Sequence, residues 1–320
     1  MIKKIIGFVL LFCICNGCSQ SLHKNKFVIS GTYLEVISPY SQAASIVHKE
    51  FKRLNKVFNI YDIDSEISRL NRTYNQPVKV SNELIELIKL SKEVNRISDG
   101  AFDISCGVLF NFWKSIIKNG SIDKFPTTEE IDKLKELCGM QYIDINEDNQ
   151  TITITKEGLK IDLGAIAKGY MVDSAVEILT HNNIDSALIN AGGDIYCLGK
   201  NGSRSWQVGL KDPSGLSGII EQEAIVDEAV ATSGNYEQFF EYEGVEFSHL
   251  IDPRTGFPVK HSASSVTVIS KNCTTADSLA TAFFVLGTDG VSEFLSKNRS
   301  TMRIYFVSGK GEDMHIQMYR

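Results

Sequence analysis

The stretch I-D-L-G-A-I-A-K-G-Y, residues 161–170, constrains the fold more than any other part of the chain. Leu159, Ile161 and Leu163 alternate as a strand does. Apolar residues then recur at helical spacing: Ile166, Tyr170, Met171, Ala175, Val176 and Leu179. The pattern predicts a strand that feeds a tight turn at Gly164 and Ala165 and opens a helix. A helix start presents unpaired backbone N–H groups and a partial positive charge, which suits phosphate oxygens. Asp162 and Lys168 bracket the turn with one charge of each sign. Two readings stay open at this point, a ligand-binding turn and a packing turn whose small residues only let two elements approach.

A formal charge of −6 with no basic run beyond the first residues argues against a nucleic-acid partner. The N-terminus has a different logic. Lys3 and Lys4 precede an apolar run over residues 5–14, which ends at Asn16, Gly17 and Cys18. That is the layout of a secretory signal, and a small residue directly before a cysteine resembles a bacterial lipobox. The expectation is a signal peptide over 1–17, lipidation at Cys18, a polar tether over 18–26 and a folded domain over 27–320, with a plain signal peptide cut nearby or a single membrane anchor as the alternatives. The apolar run is too short to span a bilayer, which takes ~20 residues. After processing, Cys106, Cys138, Cys197 and Cys273 remain, and their spacing fits no C-x-x-C pattern. An exported protein can pair such residues, but their apolar contexts read as buried free thiols.

Along the chain, residues 27–37 read as a first strand containing Gly31 and Thr32. Residues 41–58 read as an amphipathic helix with His48 on its solvated side. Residues 61–71 form a polar loop with a short helical turn, suited to a ligand lid or to plain surface. Ser81 caps a helix whose stripe is Leu84, Leu87, Ile88 and Val94. Asp103 interrupts an apolar run that reaches Trp113 and reads as a cap. Thr127 and Glu130 form a capping box, and residues 142–155 a hairpin. A strand over 186–189 ends in N-A-G-G-D (190–194), where two glycines permit close approach. Neither a Walker loop nor a G-x-G-x-x-G turn is present, which excludes those phosphate-binding folds.

Two later segments carry chemistry. In F-S-H-L-I-D-P-R-T-G-F-P (247–258), His249 beside a structured turn suits a general base or a structural brace. Near the start of the last long helix, with Thr274 or Thr275 as its cap, Asp277 and Thr281 lie four apart and share a face. A carboxylate and a hydroxyl so placed suit Mg2+ or, in the plainer reading, capping and burial.

The order of the segments says more than each alone. D-L-G-A-I-A-K-G-Y, N-A-G-G-D, A-T-S-G-N-Y, H-L-I-D-P-R-T-G-x-P and A-D-x-L-A-T-A follow one another, preceded by Y-D-I-D-S-E-I-S-R-L-N and G-A-F-D-I-S. Together they resemble the bacterial FAD:protein FMN transferase family, also called the ApbE family. The resemblance implies an α+β protein, a single two-lobed domain with mixed sheets flanked by helices. It implies Mg2+ as cofactor and FAD as substrate, and transfer of FMN to a threonine of an exported or membrane acceptor, such as a subunit of a membrane redox complex. By the same resemblance, Asp277, Thr281 and the carbonyl of Ala165 hold the metal. Ala101, Phe102, Asp103, Asp162, Lys168 and Ile251 line the FAD site, and His249 is the base. The sequence departs from the family at Ser30, usually methionine, and at Cys106-Gly107-Val108, usually T-V-G-P. The location implied is a lipid anchor on a bacterial membrane, facing the periplasm. Two rival activities are FAD hydrolysis to FMN and AMP, and flavin binding without turnover.

Overall fold

Two strands, β1 (His23–Ile29) and β2 (Thr32–Ser38), replace the single strand expected over 27–37. They pair antiparallel, with Ile29 opposite Thr32. Gly31 has φ +75°, a turn conformation that a continuing strand does not contain. The computed structural model describes residues 21–29, 31–119, 122, 124–214, 218–235, 239–260, 263–298, 301–309 and 313–320. The expected signal over 1–17, Cys18 and Ser30 lie outside the described residues. β1 starts at His23, inside the stretch read as tether.

The helices arise where the apolar spacing puts them. α1 (Ala43–Phe58) buries Val47, Phe51, Leu54 and Phe58. His48 is not on the solvated side: its ring stacks on Phe27 at 4.0 Å between centroids. α2 (Glu66–Asn71) is the helical turn of the polar loop, capped by Ser65. After β3 (Val78–Lys79) comes α3 (Asn82–Ile97), whose first turn is capped by Ser81 as the sequence indicates. α4 (Gly107–Asn119) and α5 (Thr128–Lys135) follow, the latter with a complete Thr127–Glu130 capping box. β4 (Ile143–Asn146) and β5 (Thr151–Ile154) form the expected hairpin.

Residues 159–163 join no sheet. Their contact with another extended segment is one bridge, Cys106 to Lys160. Their backbone groups are paired otherwise: the Asp162 N–H donates to Ile104 O at 2.8 Å and the Ile161 N–H to Asn71 Oδ1 at 2.7 Å. Alternation here reports burial on one side and not a strand partner. The helix predicted next is α6 (Ala167–His181).

β6 (Ala187–Ala191), β7 (Asp194–Leu198), β8 (Trp206–Lys211), β9 (Ile219–Ile225) and β10 (Glu228–Gly234) follow. Then come β11 (Phe239–Tyr242), β12 (Val245–Ser248), β13 (Ala263–Ser270), α7 (Cys273–Lys297), β14 (Arg303–Ser308) and β15 (His315–Tyr319). Eight strands make one sheet in the order β1-β2-β6-β7-β10-β13-β14-β15. Each of its neighbouring pairs is antiparallel, where mixed sheets are expected from the sequence. Short hairpins and returning excursions build it, without parallel βαβ crossovers.

Alternation along the strands divides the core. Ala229, Ala231, Val266, Val268, Ile304 and Phe306 face a large core shared with α1, α6 and α7. Val230, Ile269 and Tyr305 face the other way and are covered by Trp206, Val208, Leu210 and Ile225 of the β8–β9 ribbon. A second lobe packs Trp113 and Leu109 of α4 with Ile131, Phe240, Phe247 and Ile251. The molecule is thus one α+β domain of two lobes. α7 is interrupted at Gly287, whose φ 70° and ψ −179° are not helical. No helix among the described residues is long and apolar enough to cross a membrane.

Candidate active site

α6 crosses α7 closely at Gly169. A side chain on Gly169 would put its Cβ 2.5 Å from the Cys273 carbonyl oxygen and 2.9 Å from Asp277 Cβ, so only glycine fits there. The Gly169 N–H donates to Asp277 Oδ2 at 3.1 Å. Asp173, one turn further along α6, accepts N–H groups from Cys273 at 2.7 Å and Thr274 at 2.8 Å, and the Thr274 hydroxyl at 2.6 Å. These contacts satisfy donors at the start of α7 that a helix leaves open. Because Asp173 occupies Thr274, the cap is Asn272, whose side chain accepts from the Thr275 N–H at 2.8 Å, and neither expected threonine serves.

The crossing sets a charge cluster. Lys168 Nζ is paired with Asp194 and lies 3.7 Å from Asp277 Oδ1. Asp277 and Asp194 are both buried. Burial alone would push the Lys168 ammonium down, but Asp194 and Asp277 more than reverse that, so it stays charged. Burial, with Asp277 beside it, pushes the Asp194 carboxyl up against the pull of Lys168. Asp194 is the residue the sequence reading missed, although it ends the quoted N-A-G-G-D. Gly192 (φ +63°) and Gly193 (φ +103°) make the two-residue turn that places it at the head of β7.

Thr281 lies one turn beyond Asp277, and its hydroxyl is 3.0 Å from Ser233 Oγ of β10, which belongs to the A-T-S-G-N-Y motif. At the mouth of α6, Asp162 Oδ1 accepts the Gly164 N–H at 2.9 Å and Oδ2 accepts Lys114 Nζ at 2.7 Å. Lys114, from α4, is a second cation that the sequence reading did not single out. Ala165 sits in the same turn, half-buried.

Of the other expected residues, Phe102 packs in the large core and Ile251 in the core of the second lobe. The side chains of Ala101 and Phe102 are buried. Asp103 Oδ1 accepts the Ser105 N–H at 2.7 Å and its hydroxyl at 2.6 Å, an Asx turn before α4 and not a cap of the helix itself. Ile251 is buried and pairs with Pro258 across a turn in which Arg254 clasps Asp252 at 2.8 and 2.9 Å. Trp113 Nε1 donates to Gly256 O at 2.8 Å and holds that turn to α4. His249 is half-buried and directly precedes the turn.

The donor set suits Mg2+ on chemical grounds. Asp277, Thr281 and Asp194 are hard oxygen donors, and two buried carboxylates face one ammonium, which leaves a surplus negative charge. Among the described residues no three His, Cys, Asp or Glu side chains converge into a cage. A cation that takes one or two carboxylates and completes its shell with water and substrate phosphates fits such a site.

The ApbE family model matches residues 29–306. A Vibrio cholerae protein named FAD:protein FMN transferase is 32% identical over 294 residues, covering 88% of this chain and 86% of that one. A Treponema pallidum protein of the same name is 35% identical over 243 residues, covering 70% of this chain and 66% of that one. Among solved structures, the flavin transferase ApbE from Vibrio cholerae superposes with a TM-score of 0.81 at 27% identity, over 93% of this chain and 96% of that one. The ApbE protein of Thermotoga maritima does so with a TM-score of 0.81 at 30% identity and the same coverage. On the extent of that family match and on the shared fold, the chain belongs to the ApbE family.

Proposed function

We propose that this protein is a Mg2+-dependent FAD:protein FMN transferase, which splits the pyrophosphate of FAD and joins FMN by a phosphoester bond to a threonine of an exported or membrane protein. The observation that carries the reading is the cluster of half-buried Lys168 with buried Asp194 and Asp277 at the α6–α7 crossing. The lysine offers a fixed positive charge to phosphate oxygens. Asp277, Thr281 and the Ala165 carbonyl would hold Mg2+, which when bound supplies further charge neutralisation at those oxygens. Asp162 keeps the Gly164 turn and Lys114 in place at the start of α6.

The remaining work is positioning and one proton transfer. The acceptor threonine hydroxyl attacks the phosphorus of the FMN half, and the bond to the AMP half breaks. His249 takes the hydroxyl proton, and AMP leaves with the electron pair of the broken bond. Asp103, Ile251 and the backbone of residues 101–103 flank the flavin half. Acceptors of this kind include subunits of membrane redox complexes.

The protein works at a membrane surface, held by lipid on Cys18 and facing the periplasm. Cys18→Ser then releases the processed chain from membranes, and retention of the processed variant would sink the anchor. For the activity, the purified chain is incubated with FAD, Mg2+ and a threonine-bearing acceptor, and the acceptor is weighed by mass spectrometry. Addition of FMN with release of AMP supports the reading. FMN and AMP free in solution with an unmodified acceptor would make the protein a hydrolase, and unchanged FAD would make it a flavin carrier.

A further inference from the structure

α4 and α5 meet at their opposite ends, the start of one against the end of the other. The Gly139 N–H donates to Ser105 Oγ at 2.7 Å. Cys106 and Cys138 are the next residues on either side of that bond, and the Cys138 thiol, which donates to Leu134 O at 3.6 Å, is the leading influence on the Cys106 thiol. Both backbones are already held. The Gly107 N–H donates to Lys160 O at 2.9 Å, and a Cβ on Gly107 would lie 2.6 Å from that oxygen. The Cys138 N–H donates to Lys135 O at 2.9 Å. Both cysteines belong to the aromatic core of the second lobe, Cys106 fully buried and Cys138 half-buried. The other two are separated by the large sheet, with Cys197 in the core under the β8–β9 ribbon and Cys273 in the core under the helices.

We propose that Cys106 and Cys138 are a disulfide site, closed by thiol–disulfide exchange in an oxidising compartment. Two cysteines that flank one hydrogen bond, each on a backbone already held in place, need little movement to bond. Cys138 is the more exposed and meets the oxidant, a disulfide of the glutathione class. Its thiolate attacks one sulfur of that disulfide, whose S–S bond breaks and releases a first thiolate. Cys106 then gives up its proton and attacks Cys138 Sγ, forming the internal bond and releasing a second thiolate. The two cysteines lose two protons and two electrons, and the oxidant becomes two thiols. The contact with Cys138, then burial and the nearby Asp103 carboxylate, raise the Cys106 thiol and keep it protonated until that second step.

The bond has a reach beyond the two sulfurs. Ser105, which accepts from Gly139, also donates to Asp103 Oδ1 at 2.6 Å. Closing the 106–138 bond fixes Gly139 against Ser105 and so fixes the orientation of Asp103. This last link rests on the reading of residues 101–103 as part of the FAD site; the disulfide itself does not.

The test uses the full processed chain, treated with oxidised glutathione or with dithiothreitol, then alkylated, digested without reduction and mapped by mass spectrometry. The expected result after oxidation is one linked pair of peptides, joining Cys106 to Cys138. Oxidised protein should melt several degrees above reduced protein, and Cys138→Ser should abolish the difference, whereas Cys197→Ser should not. Separate, alkylated Cys106 and Cys138 peptides after oxidation, or a link to another cysteine, would overturn the proposal. FAD affinity by equilibrium dialysis, on the same two samples, should be tighter when oxidised. A linked pair with equal affinity in both states supports the disulfide and overturns its link to Asp103. Loss of FAD binding in both states overturns the FAD reading, and the peptide map still decides the disulfide.

Discussion

Asp277 accepts the backbone N–H of Gly169 at 3.1 Å, so the carboxylate proposed for the metal is held by the neighbour of the lysine proposed for phosphate. One missing side chain therefore sets the distance between two functional charges. Gly169→Ala should push α6 off α7, because its Cβ would meet the Cys273 carbonyl at 2.5 Å. Overpacking of this kind costs ~1–3 kcal/mol. Urea unfolding and FAD turnover, measured on one preparation, should both fall, and turnover should fall in the fraction that remains folded. Wild-type turnover in that fraction would show that the crossing does not position the charges.

Asp277 is buried, so removing the whole side chain would confound folding with chemistry. Asp277→Asn keeps an oxygen for the Gly169 N–H and removes the charge. We expect near-native melting and a Mg2+-stimulated turnover lower by ~10²-fold or more, since the metal contributes several kcal/mol of charge stabilisation. A normal Mg2+ titration curve for this variant would remove Asp277 from the metal site.

His249→Ala should suppress FMN transfer by ~10²–10⁴-fold, the usual loss when a general base is removed. FAD affinity should persist, because Lys168, Asp162 and Asp277 belong to other elements. A structural histidine bracing the 252–258 turn would instead lose melting temperature and rate together.

Glu50 clamps α1 to α6: its Oε1 accepts the Ser174 hydroxyl at 2.7 Å, and both its oxygens accept from Arg53. Burial pushes the carboxyl up, yet Arg53 and Ser174 outweigh it and hold it below the ordinary carboxylate range. A depressed acid adds stability above its unfolded pKa and loses it as pH falls through the folded value. Glu50→Gln should therefore cost ~1.5–3 kcal/mol at neutral pH, the range of hydrogen bonds to charged groups. The gap to wild type in urea midpoints should close as pH drops below about 4. A gap constant with pH would mean that packing, and not the ion pair, is lost.

What could be read from the sequence was local. The stripe of α3, the Ser81 cap, the Thr127–Glu130 box and the β4–β5 hairpin depend on spacing within a few residues, and all form as read. Asp194 was passed over because its meaning lies in Lys168, 26 residues away, brought to it by a glycine turn and a helix start. Asn272 caps α7 in place of Thr274 because Asp173, a hundred residues earlier, takes the Thr274 donors first. Residues 159–163 alternate like a strand yet pair with Ile104 and Asn71, since alternation records which side is buried and nothing about the neighbour. The ordered motifs identified the family before any of these contacts was visible; the contacts say which residues of those motifs touch.

The interruption of α7 at Gly287 has a bearing on how the molecule breathes. A break in the amide ladder divides the helix into two cooperative units. The first, with Asp277 and Thr281, is buried along most of its length, whereas beyond Gly287 only Val291 and Phe294 are buried. Opening fluctuations that begin at the far end therefore stop at the glycine, and hydrogen exchange should be fast after residue 287 and slow before it. The glycine acts as a mechanical fuse: it confines unwinding to the segment beyond the one that holds Asp277 and Thr281.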